Sequence, residues 1–229
     1  MERYSCNRNS LTEQDQEKLA GSRVLIVGCG GLGGYVTELL ARVGAGRLTV
    51  ADGDVFTETN LNRQLFCTME TMGKYKAVAA SERVSAVNPL VTCEAICEFL
   101  TEENADRLLA GHDIAVDALD NADSRALLLE AAARAGIPLV HGAIAGFQGR
   151  VSVIYPGDAT STLLSKVKTA ALSRRPATFA LPRPASRRYR PRRLSSACSL
   201  KAGSVKTGRS KWTCSAVYLR LYLFHEPHK

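Results

Sequence analysis

Between Arg23 and Asp54 the chain reads RVLIVGCGGLGGYVTELLARVGAGRLTVADGD, and this stretch limits the fold more than any other. Val24 to Val27 is an apolar run of strand length that breaks at Gly28, and Gly28, Gly30, Gly31, Gly33 and Gly34 crowd into the next seven residues. Leu32, Val36, Leu39, Leu40 and Val43 then recur at helical spacing, and Gly44-Ala45-Gly46 ends the pattern. Leu48 to Val50 is a second apolar run, closed by Asp52 and Asp54. Strand, glycine turn, helix and strand make a βαβ unit whose helix N-terminus offers unpaired N–H groups to a phosphate. Asp52 lies 19 residues after Gly33, about where such units carry a ribose-binding acid. The fingerprint predicts a nucleotide site and does not choose between NAD and ATP.

Composition divides the chain in two. Residues 162–229 hold 16 of the 30 Lys and Arg and one of the 22 Asp and Glu, a net +15, so residues 1–161 carry −7 and the total is +8. No apolar run approaches the ~18 residues of a membrane span, and Met1 to Asn9 is polar, so neither a spanning helix nor a signal peptide is expected. The seven cysteines (Cys6, Cys29, Cys67, Cys93, Cys97, Cys198 and Cys214) include no Cys-x-x-Cys pair, so no zinc is expected. An odd, scattered set reads as the reduced thiols of a cytoplasmic protein.

Alternating patterns fill the chain up to Asp158. Leu11 to Leu19 reads as a helix with Thr12 as N-cap and Asp15 three residues on. Thr57 to Arg63 is turn-rich, and Gln64 to Thr71 fits neither period. Lys74 to Val87 is an amphipathic helix stopped by Asn88-Pro89. Leu90 to Ile96 is a strand, Glu102 to Leu109 a helix, and Asp113 to Leu119 a strand ending in Asp120-Asn121. A helix from Ala122 to Ala135, closed by Gly136, precedes strands at Leu139 to Gly142 and Gly149 to Tyr155. The expected fold class is α/β: a Rossmann-like, doubly wound, mostly parallel sheet with helices on both faces. Its C-terminal tail is irregular.

Three clusters fall where such a sheet presents its carboxyl edge. They are Thr59-Asn60-Leu61-Asn62-Arg63-Gln64, Gly73-Lys74-Tyr75-Lys76, and Asp117 with Asp120-Asn121. Singly each has an ordinary explanation, Arg63 or Lys76 as a solvated charge and Asp120-Asn121 as a helix cap. With the glycine turn they make a cationic pair and a carboxylate around one nucleotide. Phosphate chemistry needs donors of that kind and an acid to hold Mg2+.

These stretches, in this order and spacing, resemble the ThiF/MoeB/HesA family, prokaryotic relatives of ubiquitin-activating enzymes. The matching segments are Gly28-Cys29-Gly30-Gly31-Leu32-Gly33, Asp52-Gly53-Asp54, Asn60-Leu61-Asn62-Arg63-Gln64, Gly73-Lys74-Tyr75-Lys76 and Asp120-Asn121, with Asn88-Pro89 and Gly149-Arg150-Val151 in support. The resemblance covers residues 1–160. It implies an ATP-dependent adenylyltransferase acting on the C-terminal glycine of a ubiquitin-like sulfur-carrier protein ending in Gly-Gly, as in thiamin or molybdopterin synthesis. By the same resemblance Gly28, Gly30, Gly31 and Gly33 form the nucleotide turn and Asp52 binds ribose. Asn60, Arg63 and Lys76 contact phosphates, Asp120 binds Mg2+, and Asn121 lines the pocket. Asp54 and Asn62 lie in the same motifs and join the ATP-binding set. Arg8, with Arg3 as a neighbouring candidate, matches an arginine that reaches into the partner's site of a homodimer, so the implied catalytic set is Arg63, Lys76, Asp120 and Arg8.

The chain departs from that family in three ways. The zinc-binding cysteine pairs of some members are missing, no cysteine stands at a clear sulfur-transfer position, and the loop, apolar helix and closing strands are not recognisable after Asp158. Residues 161–229 are instead a basic Ser/Arg/Pro-rich tail. Loss of acids with a surge of Arg, Ser and Pro is what GC-rich coding sequence gives in a shifted reading frame. Trp212-Thr213 (TGG ACN) reads as Asp in the frame begun at the third base, whichever Thr codon is used. The tail is expected to be out of frame, or else a disordered arm for nucleic acid or acidic lipid. DNA sequence across codons 156–170 separates the two. The alternatives for the whole chain are an NAD-dependent oxidoreductase, which leaves Arg63, Lys76 and Asp120 unexplained, and an inactive nucleotide-binding remnant.

Overall fold

A computed structural model describes residues 2–145 and 148–158. The expectations for the 161–229 tail and for its reading frame lie outside these residues. In chain order the elements are α1 (Glu13–Gly21), β1 (Arg23–Val27), α2 (Gly33–Val43), β2 (Arg47–Ala51), α3 (Lys76–Val87), β3 (Thr92–Ile96), α4 (Glu102–Leu109), β4 (Ile114–Asp117), α5 (Ala122–Ala135), β5 (Leu139–Ala145) and β6 (Gln148–Ile154). The strands form one sheet in the order β3-β2-β1-β4-β5-β6. Every pairing is parallel except β5 with β6, an antiparallel pair in which Leu139 faces Ile154.

Alternate residues of each strand serve opposite faces, which is why the strands read as apolar runs rather than as alternating patterns. Val24, Ile26, Leu48, Val50, Val116 and Val140 share a core with Ala41 of α2 and with Ala77, Ala80 and Val84 of α3. Leu25, Val27, Ala51, Ala115 and Leu139 share the other with Leu108 and Leu109 of α4 and Leu128 and Ala132 of α5. The chain thus winds outward from β1 in one direction, then from β4 in the other. This is the expected doubly wound α/β sheet. Its switch point lies between the carboxyl ends of β1 and β4, paired as Val27 with Asp117.

Local signals set most boundaries. Thr12 caps α1 reciprocally with Asp15, at 3.2 and 3.0 Å. Several expectations need correction, the end of β5 among them, since pairing with β6 carries that strand to Ala145 rather than Gly142. β3 begins at Thr92 rather than Leu90, because Asn88 to Val91 turn first, with the Val91 N–H on the Asn88 carbonyl. β4 ends at Asp117, because the next two residues turn outward at the switch point. α3 begins at Lys76, not Lys74, because Tyr75 forms a bridge with Val55 and the Lys76 N–H bonds the Asp54 carbonyl. The largest difference is in α2. Its spacing predicts an inward Leu32/Val36/Leu39/Leu40/Val43 face, whereas Gly33, Gly34, Thr37, Glu38 and Ala41 are the buried positions and Leu39 is 40% exposed. Small residues face inward because α2 is pressed from two sides: a Cβ on Gly34 would touch Leu65 at 3.5 Å and Phe66 at 3.6 Å. Buried Glu38 ties α2 to α3, accepting from Arg42 and from both Nε and Nη2 of Arg83, the latter at 2.9 Å each.

No helix among the described residues is long and apolar enough to cross a membrane.

Candidate nucleotide site

The glycine turn is a close-packed joint as well as an opening. Gly28 has φ +96°, a left-handed conformation, and a Cβ there would stand 2.7 Å from the Ala118 carbonyl oxygen. A Cβ on Gly33 would overlap the Gly28 carbonyl oxygen and crowd Ala118. The turn therefore nests against the residues that follow β4. Among the described residues no side chain caps α2, and the N–H groups of Gly30, Gly31 and Leu32 have no acceptor. Unpaired N–H groups and the positive end of the helix dipole both favour an anion here.

Residues 57–67 form the roof. Thr57 and Asn60 cap each other, with the Asn60 Oδ1 accepting the Thr57 N–H at 3.0 Å, and Asn60 is buried. That role occupies the side-chain oxygen, while the Asn60 amide nitrogen has no acceptor among the described residues. Arg63 passes over Gly31, its Cγ 3.9 Å from where a Cβ would be. Its Nη1 is held by the Thr59 carbonyl at 2.9 Å and by Asn62 Oδ1 at 3.2 Å, so Asn62 acts by aiming Arg63. Buried Gln64 lies over Gly30, and its Oε1 has no partner among the described residues.

The acids after β2 form one wall. Asp52 Oδ2 accepts the Cys29 N–H at 2.7 Å and Oδ1 accepts the Asp54 N–H at 2.9 Å, which ties the acid to the glycine turn. Each oxygen keeps a second lone pair for a ribose hydroxyl. Burial pushes the Asp52 carboxyl above its ordinary value, against these two N–H donors. Lys76 is only 6% exposed, and its ammonium pairs with Asp54 Oδ2 at 2.8 Å. Asp54 thus steadies the lysine, which has two further hydrogens to offer. Phe99, 62% exposed, lies so close to Gly53 that a Cβ there would be 2.6 Å from its ring. Cys29 is buried, and burial raises its thiol well above the ordinary value, which disfavours the thiolate.

The turn after β4 forms the facing wall. Asp120 is exposed and makes no hydrogen bond or ion pair among the described residues. Asn121 is the N-cap of α5, its Oδ1 accepting the Ser124 N–H at 2.8 Å. No group of three or more His, Cys, Asp or Glu converges on a metal position among the described residues. A lone free carboxylate beside a phosphate site still fits Mg2+, which takes one or two carboxylates and completes its shell with phosphate oxygens and water.

Arg8 is not with the others. Residues Glu2–Asn9 form a short 3-10 stretch against the C-terminal end of α2: Asn7 donates to the Val43 carbonyl, and the Tyr4 hydroxyl accepts from Asn88 at 2.8 Å. Arg3 is bonded to Asn88 Oδ1. The 11 residues of α2 separate this segment from the chain's own glycine turn, about 16 Å at the rise of an α-helix. The structure therefore gathers the glycine turn, Asp52, Asp54, Asn60, Asn62, Arg63, Lys76, Asp120 and Asn121 at one edge and leaves Arg8 at the other. Sequence reasoning passed over Gln64, although it quoted the motif, and gave no signal for Phe99.

Residues 4–200 match the ThiF family. The sulfur carrier protein adenylyltransferase of Thermus thermophilus is 44% identical over 142 residues, 62% of this chain and 52% of that protein. The SAMP-activating enzyme E1 of Haloferax volcanii is 39% identical over 158 residues, 68% of this chain and 58% of that enzyme. The chain thus spans little more than half the length of these relatives. Among solved structures, the ATP complex of E. coli tRNA N6-threonylcarbamoyladenosine dehydratase, TcdA, superposes with a TM-score of 0.62 at 31% identity, covering 64% of this chain and 61% of that one. The glycine turn, the acids after β2 and the Arg63 and Lys76 motifs fall within a match that runs over most of the sequence: the chain belongs to the ThiF family.

Proposed function

We propose that this chain is an ATP-dependent adenylyltransferase that activates the C-terminal glycine carboxylate of a ubiquitin-like sulfur-carrier protein, with residues 1–160 as the nucleotide-binding unit. One observation carries the reading. Open N–H groups at the start of α2, the Arg63 and Lys76 cations and the free Asp120 carboxylate all follow or border the carboxyl ends of β1, β2 and β4, whereas an NAD fingerprint alone needs only the glycines and Asp52.

The chemistry asks for position and charge. A carboxylate oxygen of the carrier attacks the α-phosphorus of ATP. The bond to the bridging oxygen of the β-phosphate breaks, and that oxygen leaves with its electron pair as pyrophosphate, giving the acyl adenylate. The attacking carboxylate has no proton to lose, so no general base is required. Gly30 and Gly31 N–H groups, Asn60, Arg63 and Lys76 hold the phosphates, Asp52 holds the ribose, and Asn121 borders the pocket. Asp120 would hold Mg2+, which supplies positive charge for the phosphate oxygens and the departing pyrophosphate. Arg8, at the far end of α2, serves a nucleotide only across a homodimer.

The test is ATP–pyrophosphate exchange with small carriers ending in Gly-Gly, with Arg63→Ala as control. Carrier-dependent exchange lost in the variant supports the proposal. Saturable NAD binding without ATP binding, or ATP binding with no exchange for any carrier, overturns it. A parallel arm with tRNA in place of the carrier addresses the relatives named for tRNA threonylcarbamoyladenosine dehydration.

A further inference from the structure

Beneath the Asp120 turn lies a buried polar cluster that draws on three elements. Asp117, the last residue of β4, is 1% exposed. Its Oδ1 accepts the Leu119 N–H at 3.0 Å, and its Oδ2 lies 2.6 Å from Nδ1 of buried His141 on β5. A carboxylate only accepts, so the Nδ1 of His141 carries the proton. Arg125 of α5 approaches the same carboxylate, with Nε 3.8 Å from Oδ1. The Arg125 guanidinium also donates from Nε to the Leu119 carbonyl at 2.9 Å, and from Nη2 to the Gly142 carbonyl at 3.3 Å. Leu119 is thereby held by both its backbone polar groups, and the next residue is the free Asp120. Ala118 in the same turn is the wall against which Gly28 packs.

We propose that Asp117, His141 and Arg125 are positioning residues: they clamp the Ala118–Leu119 turn and so set where Asp120 stands relative to the glycine turn. This rests on the role proposed above for Asp120. A fold that needed only to satisfy buried groups has no reason to direct two charged side chains at the backbone N–H and C=O of the one residue before Asp120. A small displacement of that carboxylate is expected to weaken turnover far more than ground-state binding, because misplacement near 1 Å costs on the order of 100-fold.

The experiment compares His141→Leu with His141→Asn in the full chain. The Asn side-chain amide places an N–H near the position of the His Nδ1, and Leu does not. Four quantities are read: the melting temperature, the Kd for ATP by calorimetry, kcat and KM for ATP in pyrophosphate exchange, and hydrogen exchange of the Leu119 amide. Positioning predicts that His141→Leu lowers kcat by roughly 10-fold or more, with KM and Kd within about 3-fold. It also predicts at least ~10-fold faster Leu119 exchange and restoration of both by His141→Asn. Arg125→Lys, which loses the fork across two carbonyls, should behave as His141→Leu does. Unchanged Leu119 exchange in His141→Leu, or an Asn variant no better than the Leu one, overturns the inference. If the wild-type chain binds ATP yet exchanges no pyrophosphate, the adenylation reading fails and the Leu119 arm alone decides the clamp.

Discussion

The two ends of α2 are built on opposite plans. At its C-terminus three of the last four carbonyls are engaged: Gly44 closes the helix with its N–H on the Leu40 carbonyl, the Val43 carbonyl accepts from Gln16 at 2.8 Å, and the Ala41 carbonyl accepts from Asn88 at 2.8 Å. Among the described residues its N-terminus has no side-chain cap, three N–H groups there have no acceptor, and Gln64 Oε1 is buried without a partner. One helix, with the same backbone chemistry at both ends, is mostly engaged where it is structural and open where a ligand is expected. Both ends are closely packed, the open one around Gly28 and Gly33 and the closed one around Gly44 and Gly46, so it is hydrogen bonding rather than packing that distinguishes them.

The most severe way to break that contrast is at the joint. Gly33→Ala should destabilise the protein by about 3 kcal/mol or more in urea unfolding, because its Cβ overlaps the Gly28 carbonyl oxygen. Wild-type stability in that variant would mean that the turn is not packed as described. Arg63→Ala should lower pyrophosphate-exchange turnover by roughly 100- to 1,000-fold and leave stability within about 0.5 kcal/mol, since only Nη1 of its guanidinium is engaged, by residues of its own loop. At the closed end, Asn88→Ala removes the donor to the Ala41 carbonyl and to the Tyr4 hydroxyl. A loss of about 1–3 kcal/mol is expected there with no change in ATP affinity.

The smallest effect concerns pH. Hydrogen bonds from Arg83 first, and also from Arg42, hold the Glu38 carboxyl below its ordinary 4.5, against burial. The unfolded chain therefore takes up that proton more readily than the folded one, so the stabilisation present above pH 4.5 is lost as the pH falls through the folded pKa. Glu38→Gln should flatten the acid limb of the unfolding free energy, and a slope equal to wild type would contradict the buried bridge.

The sheet was legible in the sequence because both faces are covered: its strands appear as apolar runs and the turns between them as glycine, proline and asparagine. The carboxyl-edge residues were legible because they come in short motifs beside those turns. The inward face of α2 was not, since periodicity ranks residues by hydrophobicity, whereas a helix squeezed between the sheet and the Leu65–Phe66 segment demands smallness and so buries Gly34, Thr37 and Ala41. Asp117 carried a signal through its place at a strand end, but its partners did not. His141 lies 24 residues away and Arg125 inside a helix, and only folding shows that they meet. The second role of Asn60 and Asn121, as caps, was likewise indistinguishable from ligand binding until their oxygens were seen to be engaged.

The central claim, that the open end of α2 is the ATP site and its closed end is not, is tested most directly by calorimetric ATP titration of the wild-type chain, Gly30→Ala and Asn88→Ala. A Cβ on Gly30 meets only Gln64, at 3.5 Å, so the fold survives while the surface offered to phosphate is altered. The account predicts ATP affinity at least ~10-fold weaker in Gly30→Ala with stability within about 1 kcal/mol, and wild-type affinity with lowered stability in Asn88→Ala. Undiminished ATP binding by Gly30→Ala, or an equal loss of binding in both variants, would contradict it.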